Sequence, residues 1–227
     1  GFSDHTPWKY RTSYVADMRM LPEELSEYIE SLQYLREKYR DQIDIKIGLE
    51  CEYFPEYIPW LKEQIKKYQL NYILFGNHHF HTDEKFPYFG HHTNNRDMLG
   101  LYEESAIEGM ESGLYNCLAH PDLFMRSYPK FDHHCATISR HICRTAARLN
   151  IPLEYNIGYV AYNEEHGLNT YPCPNFWHIA ANEGCTAIIG MDAHNNNDLE
   201  VPVYYERALQ ELKELKIKTT DTLKMMH

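Results

Sequence analysis

The chain has 227 residues and a formal net charge of −11 at pH 7, with 43% hydrophobic and 24% charged residues. This length accommodates one large domain or two small ones, and such a chain can bury enough surface to fold without a disulfide or a metal. The acidic balance argues against broad electrostatic binding of nucleic acid or of an anionic membrane, and the sequence has no apolar run of about 18 residues that could cross a bilayer.

Strand-like and helix-like segments alternate along the chain. The first residues resemble the end of a strand, and further strands are predicted at residues 43–49, 72–75, 115–119, 151–157 and 186–189 from alternating or short apolar runs. Helical periodicity predicts helices over residues 23–39, 57–68, 96–112, 133–149, 174–182 and 199–215. Alternating βα units indicate an α/β fold with a parallel sheet and outer helices, and their number favours a barrel, complete or distorted.

Residues of metal-ligand type follow almost every predicted strand. They are Asp4 and His5, Glu50, His78 and His79, His120, Asn156, and Asp192 and His194. In a barrel of this kind the active-site groups lie just past the carboxyl ends of the strands. Any one histidine there could be an ordinary loop or core residue, but the repeated coincidence indicates a shared metal site. Imidazole and carboxylate ligands suit zinc, manganese or iron.

The order of these motifs resembles that of a PHP (polymerase and histidinol phosphatase) domain, and most closely its histidinol-phosphate phosphatase branch. The resemblance covers about residues 1–200 and is carried by Gly1-Phe2-Ser3-Asp4-His5-Thr6-Pro7-Trp8, Gly48-Leu49-Glu50, Gly76-Asn77-His78-His79-Phe80, Ala119-His120-Pro121-Asp122-Leu123 and Met191-Asp192-Ala193-His194. It implies a distorted (β/α)7 TIM-like barrel, with residues 1–227 forming a single phosphoesterase domain.

The resemblance also implies two or three divalent metal ions (Zn, Mn or Fe). Glu50 would bridge two of them, and His79 and His120 would complete the first site. Asp192 would join Glu50 on the second, and His5 and His194 would belong to a third. His79 is preferred over His78 because it directly precedes Phe80, as the family's ligand precedes its aromatic residue.

Two departures from the family pattern are visible. The family opens with a His-x-His strand that supplies ligands to the second and third metals, and these 227 residues do not contain it. The fold is therefore expected to lack its first strand here, and the physical protein to carry an N-terminal segment outside this sequence. Without that segment only the site of Glu50, His79 and His120 is complete. In addition, Met191 stands where the family usually has Ser, at a position expected only to support a turn.

The predicted activity is metal-dependent hydrolysis of a phosphomonoester, with L-histidinol phosphate as the leading substrate. Glu50, Asp192 and His194 are the predicted catalytic residues. Arg126, six residues past His120, and His91, in a Gly/Asn-rich loop, are candidate substrate contacts, although Arg126 could equally be a surface arginine.

Alternatives remain open at this point. One is a phosphoesterase of the same fold acting on another small phosphate ester or a nucleotide, and another is a non-catalytic metal-binding PHP domain. The expected partner is a small phosphorylated substrate, with no membrane and no nucleic acid, and the oligomeric state is not predicted. The six cysteines form no CxxC pair, which favours reduced, mostly buried thiols in a cytoplasmic protein.

Overall fold

Seven parallel β-strands form the sheet of the computed structural model, which describes residues 1–168, 170–200 and 202–226. The strands lie side by side in chain order, and each neighbouring pair is parallel. Their bounds are β1 Phe2–His5, β2 Ile47–Cys51, β3 Tyr72–Gly76, β4 Cys117–Ala119, β5 Leu153–Asn156, β6 Thr186–Gly190 and β7 Lys218–Thr219.

Helical segments connect each strand to the next. Their bounds are α1 Leu25–Lys38, α2 Ile58–Tyr68, α3 Phe89–His92, α4 Arg96–Glu111, α5 His133–Leu149, α6 Ile157–His166, α7 Pro174–Asn182 and α8 Pro202–Glu214, with 3-10 turns at Leu123–Arg126 and Asn196–Glu200. A parallel sheet with strands in chain order and helical crossovers is the arrangement of a βα barrel. The α/β, TIM-like fold class predicted from the sequence is therefore confirmed. Within the described ranges, no helix combines the length and the apolarity that a membrane crossing requires.

The strand predicted at residues 43–49 begins later than expected. The amide of Ile43 donates to the carbonyl of Tyr39 at 2.9 Å, so these residues continue the turn that ends α1. The side chain of Ile43 is 59% exposed, and pairing with β1 begins only at Ile47. The start of β2 predicted from apolar alternation is therefore wrong, because Ile43 belongs to the turn after α1 and not to the strand.

Helix α6 and strand β7 were not predicted. Helix α6 starts directly after β5, where the side chain of Asn156 accepts a hydrogen bond from the amide of Tyr159 at 3.1 Å and caps the helix. Its apolar periodicity is weak because it buries only Ile157 and Val160. Strand β7 has two residues and pairs with β6 through Thr186 and Ala187, too short a segment to show a pattern.

The core lies between the sheet and the helices. Helix α5 shows why these elements pack: its apolar residues recur every three or four positions, at Cys135, Ile138, Ile142 and Ala146, and all are buried. That stripe allows α5 to pack against α4 and α7. All six cysteines belong to the described part of the chain, and they are unpaired and buried.

Candidate metal centre

The carboxyl ends of neighbouring strands bring the candidate ligands to one edge of the sheet. His5 ends β1 and lies opposite Glu50 in the register of β1 and β2. His78 follows β3 by two residues, and His120 follows β4 directly. Because parallel strands all end at the same edge, residues from distant parts of the sequence meet there.

Glu50, His78 and His120 form a compact triangle of potential ligand atoms. The Oε1 atom of Glu50 lies 3.0 Å from Nε2 of His120 and 3.4 Å from Nε2 of His78, and the two Nε2 atoms are 3.2 Å apart. The three residues are only 8%, 3% and 5% exposed, in the order Glu50, His78, His120. A tetrahedral ion with bonds of about 2.0–2.1 Å holds its ligand atoms about 3.3 Å apart. The triangle therefore fits a divalent cation.

His5 lies on the other side of the Glu50 carboxylate. Its Nδ1 atom is 3.7 Å from Oε2 of Glu50, beyond hydrogen-bond distance. That nitrogen is buried and has no hydrogen-bond partner among the described residues. A buried imidazole nitrogen aimed at a carboxylate without bonding to it is what a second cation at Glu50 would require.

The charges within the triangle depend on one another. Burial alone would raise the pKa of Glu50, but the neighbouring His78, His120 and His5 lower it to about 2. Burial also lowers the pKa of His78. For His120 the hydrogen bond and charge of Glu50 outweigh burial and raise the pKa to about 9. In the metal-free protein, a proton on His120 therefore provides the positive charge that a cation would provide in the loaded protein.

Asp192 and His194 lie beside this centre, beyond β6. The Asp192 carboxylate accepts a hydrogen bond from Nδ2 of Asn156 at 2.9 Å, and its charge contributes to the raised pKa of His120. The His194 side chain is 71% exposed, and its Nδ1 bonds to the backbone carbonyl of Asp192 at 2.8 Å. The structure thus gathers His5, Glu50, His120 and Asp192, and leaves His194 at the rim.

The structure places His78, and not the predicted His79, beside Glu50. Nδ1 of His79 bonds to the carbonyl of Phe86 at 2.9 Å, and this histidine belongs to neither cluster of ligand atoms. Consecutive residues past the strand point in different directions, and it is His78 that faces Glu50. Nε2 of His79 is buried and has no hydrogen-bond partner among the described residues, so the prediction of His79 as a ligand stays a prediction.

Both predicted substrate contacts lie near one another at the mouth of the centre. The rings of His91 and Tyr88 are 5.1 Å apart, and Tyr88 is 5.7 Å from the ring of His78. Burial raises the pKa of Tyr88, and the charge of Arg126 opposes that rise. The Arg126 guanidinium also lies 5.1 Å from the ring centre of Tyr159. Arg126 is therefore a cation held against an aromatic wall and is not an isolated surface arginine.

Two buried carboxyl groups at the centre were missed from the sequence. Glu52 hydrogen-bonds to Nδ1 of His78 through Oε1 at 3.0 Å. Glu154 accepts the amide of His120 through Oε2 at 2.9 Å, and burial raises the pKa of Glu154 to about 7. A Cβ at Gly190 would lie 1.7 Å from Glu154, so the end of β6 requires glycine. The sequence does carry a signal for both residues. Glu52 lies two positions after Glu50 and Glu154 two positions before Asn156, and residues two apart along a strand point to the same face.

Fold and site together define an α/β protein of βα-barrel type with a His/Glu metal centre at the carboxyl edge of its sheet. No family model matches the sequence. The chain is 27% identical over 225 residues to a probable histidinol-phosphatase of Deinococcus radiodurans, which covers 94% of this chain and 80% of that protein. It is 36% identical over 87 residues to a probable histidinol-phosphatase of Schizosaccharomyces pombe, covering 36% of this chain and 28% of that protein.

Two solved structures share the fold. The histidinol phosphate phosphatase of Lactococcus lactis, complexed with zinc, L-histidinol and phosphate, matches with a TM-score of 0.68 at 17% identity and covers 95% of this chain and 84% of that one. A Listeria monocytogenes protein described as a histidinol phosphatase matches with a TM-score of 0.64 at 16% identity, covering 87% of this chain and 84% of that one. At these identities the likeness establishes the common α/β architecture.

Proposed function

We propose that this chain is a metal-dependent phosphatase that hydrolyses L-histidinol phosphate to L-histidinol and phosphate, and that residues 1–227 act as one phosphoesterase domain. The observation that carries the proposal is the triangle of Glu50, His78 and His120, with ligand atoms 3.0–3.4 Å apart at the edge of a barrel-type sheet. The similarity to a probable histidinol-phosphatase over 94% of the chain supports the same activity and indicates the substrate.

Glu50, His78 and His120 would hold one cation. His5 and Asp192, which flank the triangle, would contribute to a second, with His194 at the rim available to a third. The number of ions is thus two or three, with zinc, manganese and iron matching the donor types. When bound, such cations lower the pKa of a coordinated water to about 7 and neutralise charge on phosphoryl oxygens.

Residues of this chain would bind and orient the phosphate ester. Arg126 presents a fixed positive charge for the phosphoryl group, and Tyr88 and His91 beside it offer polar atoms for the same oxygens. Stacked tyrosines line the adjacent wall, with the rings of Tyr159 and Tyr171 4.0 Å apart. A flat ring on the leaving group would pack well against that wall, as an imidazole would.

Hydrolysis requires a proton at the leaving oxygen. Water attacks phosphorus, the bond between phosphorus and the histidinol oxygen breaks, and that oxygen takes up a proton. Burial would lower the pKa of His194, but the hydrogen bond to the Asp192 carbonyl and nearby carboxylates raise it. His194, which the Asp192 carbonyl orients at the rim of the centre, is the residue proposed to supply this proton on the leaving-group side.

A substrate panel tests this function. The protein, supplied with Zn²⁺ or Mn²⁺, is assayed for phosphate release from L-histidinol phosphate, a nucleoside monophosphate, glycerol phosphate and p-nitrophenyl phosphate. We expect L-histidinol phosphate to be preferred in kcat/KM by at least ~10²-fold, which corresponds to about 2.7 kcal/mol of selective transition-state binding. Preference for another ester would show that L-histidinol phosphate is not the substrate. Absence of hydrolysis in metal-loaded protein would indicate a non-catalytic metal-binding domain.

A further inference from the structure

Arg19 lies in the long connection between β1 and α1, and its charge is fully enclosed. Its side chain is only 2% exposed. The guanidinium donates from NH1 and NH2 to the two oxygens of Glu52 at 2.9 and 3.0 Å, and from NH2 to Asp83 at 2.9 Å. NH1 also donates to the carbonyl of Thr6 at 3.1 Å. Planar, two-point pairing of this kind is specific to arginine and is lost with lysine.

The carboxylate of Glu52 receives four hydrogen bonds and has no capacity left for a cation. Besides the two from Arg19, Nε1 of Trp8 donates to Oε2 at 2.8 Å and Nδ1 of His78 lies 3.0 Å from Oε1. His5, Glu52 and His78 do form a geometrical group of potential ligands. Because the Glu52 oxygens are already occupied by donors, this group is better explained as support for His78 than as a second metal site.

The protonation of the His78 ring follows from this arrangement. A buried carboxylate paired with an arginine stays ionised and can only accept hydrogen bonds. Nδ1 of His78 must therefore carry the proton and donate it to Glu52. The lone pair is then on Nε2, the atom that faces Glu50 and His120 at 3.4 and 3.2 Å.

We infer that Arg19 is a positioning residue for the metal centre: it orients Glu52, which fixes the Nδ1-protonated tautomer of His78 and presents Nε2 to the cation. The inference rests on the proposed metal centre and not on the proposed substrate. Carboxylate partners behind ligating histidines typically contribute 10- to 100-fold, roughly, to metal affinity. Here the pair is His78 and Glu52, and Arg19 adds a third residue behind it by donating to Glu52. The connection after β1 therefore contacts the centre through Arg19.

The experiment measures the tautomer and the metal affinity separately. Imidazole ¹⁵N spectra of the metal-free protein, assigned with His78→Asn, report which nitrogen of His78 carries the proton. Zn²⁺ affinity is measured by competition with a chelating dye for the parent, Arg19→Ala, Arg19→Lys and Glu52→Gln. Arg11→Ala is the matched control, because Arg11 lies in the same connection but pairs with Glu56 on the surface.

We expect Nδ1 protonation of His78 in the parent and a shift toward Nε2 protonation in Glu52→Gln, whose amide can donate to Nδ1. Zn²⁺ affinity should fall about 10- to 100-fold in Glu52→Gln and about tenfold in Arg19→Ala. Added guanidinium should restore most of the loss in Arg19→Ala, Arg19→Lys should remain impaired, and Arg11→Ala should match the parent.

An Nε2-protonated His78 in the parent would overturn the inference. So would parental affinity in a folded Arg19→Ala, or a loss that guanidinium leaves unchanged. If Arg19→Ala does not fold, Arg19→Lys and Glu52→Gln decide by the same readouts. Because none of these measurements uses a phosphate ester, a protein with no histidinol-phosphatase activity would still confirm or refute the role of Arg19.

Discussion

The Nε2 atoms of His78 and His120 lie 3.2 Å apart although the residues are separated by 42 positions in the chain. They meet because β3 and β4 are adjacent and parallel, so the segments that leave them share one edge. Two imidazole nitrogens at this distance, beside a carboxylate, cannot all bond to one another without a proton or a cation between them. This relationship is the basis for the predictions about the metal centre.

Glu50→Gln should abolish hydrolysis and lower the metal content. The substitution removes the negative charge that Glu50 directs at His78 and His120 while keeping its size, so the far-UV circular dichroism should be unchanged. We expect kcat to fall by at least ~10²-fold, as for loss of a principal electrostatic group in other hydrolases. An active variant with a full metal content would show that Glu50 is not a ligand of the metal centre.

His78→Asn and His79→Asn separate the structural assignment from the one made on sequence. His78 faces Glu50, whereas Nδ1 of His79 bonds to the Phe86 carbonyl. We expect His78→Asn to lose bound metal and activity, and His79→Asn to retain most of both. Elemental analysis of the two purified variants measures this directly, and the reverse result would restore His79 as the ligand.

Arg126→Ala should weaken recognition of the phosphoryl group. A hydrogen bond to a charged group contributes about 1.5–3 kcal/mol, so kcat/KM should fall roughly 10- to 100-fold, with inhibition by inorganic phosphate weakened in parallel. Arg140→Ala is a suitable control, because Arg140 pairs with Glu183 on the surface of α5. Equal effects of the two substitutions would place Arg126 outside the substrate site.

Asp122→Asn should change the pH dependence of stability in the metal-free protein. Burial raises the pKa of Asp122 from its ordinary value of 3.8 to about 7, against the hydrogen bond from the amide of Cys173. Between these values the folded protein holds a proton that the unfolded chain releases, so the free energy of unfolding falls as pH rises. Asparagine does not titrate, so this pH dependence is absent from the variant. As pH rises, its free energy of unfolding should increase relative to that of the parent by about 1.4 kcal/mol for each unit between the folded and unfolded pKa of Asp122.

Urea unfolding at pH 4, 6 and 8 measures this gain. Asp132→Asn provides a control of opposite sign. Hydrogen bonds from the amides of Cys135 and His134 lower the pKa of Asp132, so its stabilisation is present above the unfolded pKa and is lost as pH falls. A constant difference between Asp122→Asn and the parent across this range would show that Asp122 is ionised in the folded protein.

The strand-to-helix alternation and the positions of Glu50 and His120 could be predicted because they depend on local periodicity and on the shared edge of a parallel sheet. The choice between His78 and His79 could not, because the path after β3 decides it: the amide of His78 donates to the Gly76 carbonyl, and its own carbonyl accepts from Phe89. Nor could the role of Arg19, since its buried pairing with Glu52 depends on how a long connection folds back over the site.

The enclosed thiols give the protein a built-in reporter of its own opening. All six cysteines are unpaired and buried, and burial raises the pKa of Cys51 and Cys117. Alkylating reagents react with the exposed thiolate, so modification of the native chain requires part of it to open first. Mass-resolved labelling would therefore map, without any engineered probe, which strands and helices open together and whether a bound cation holds them closed.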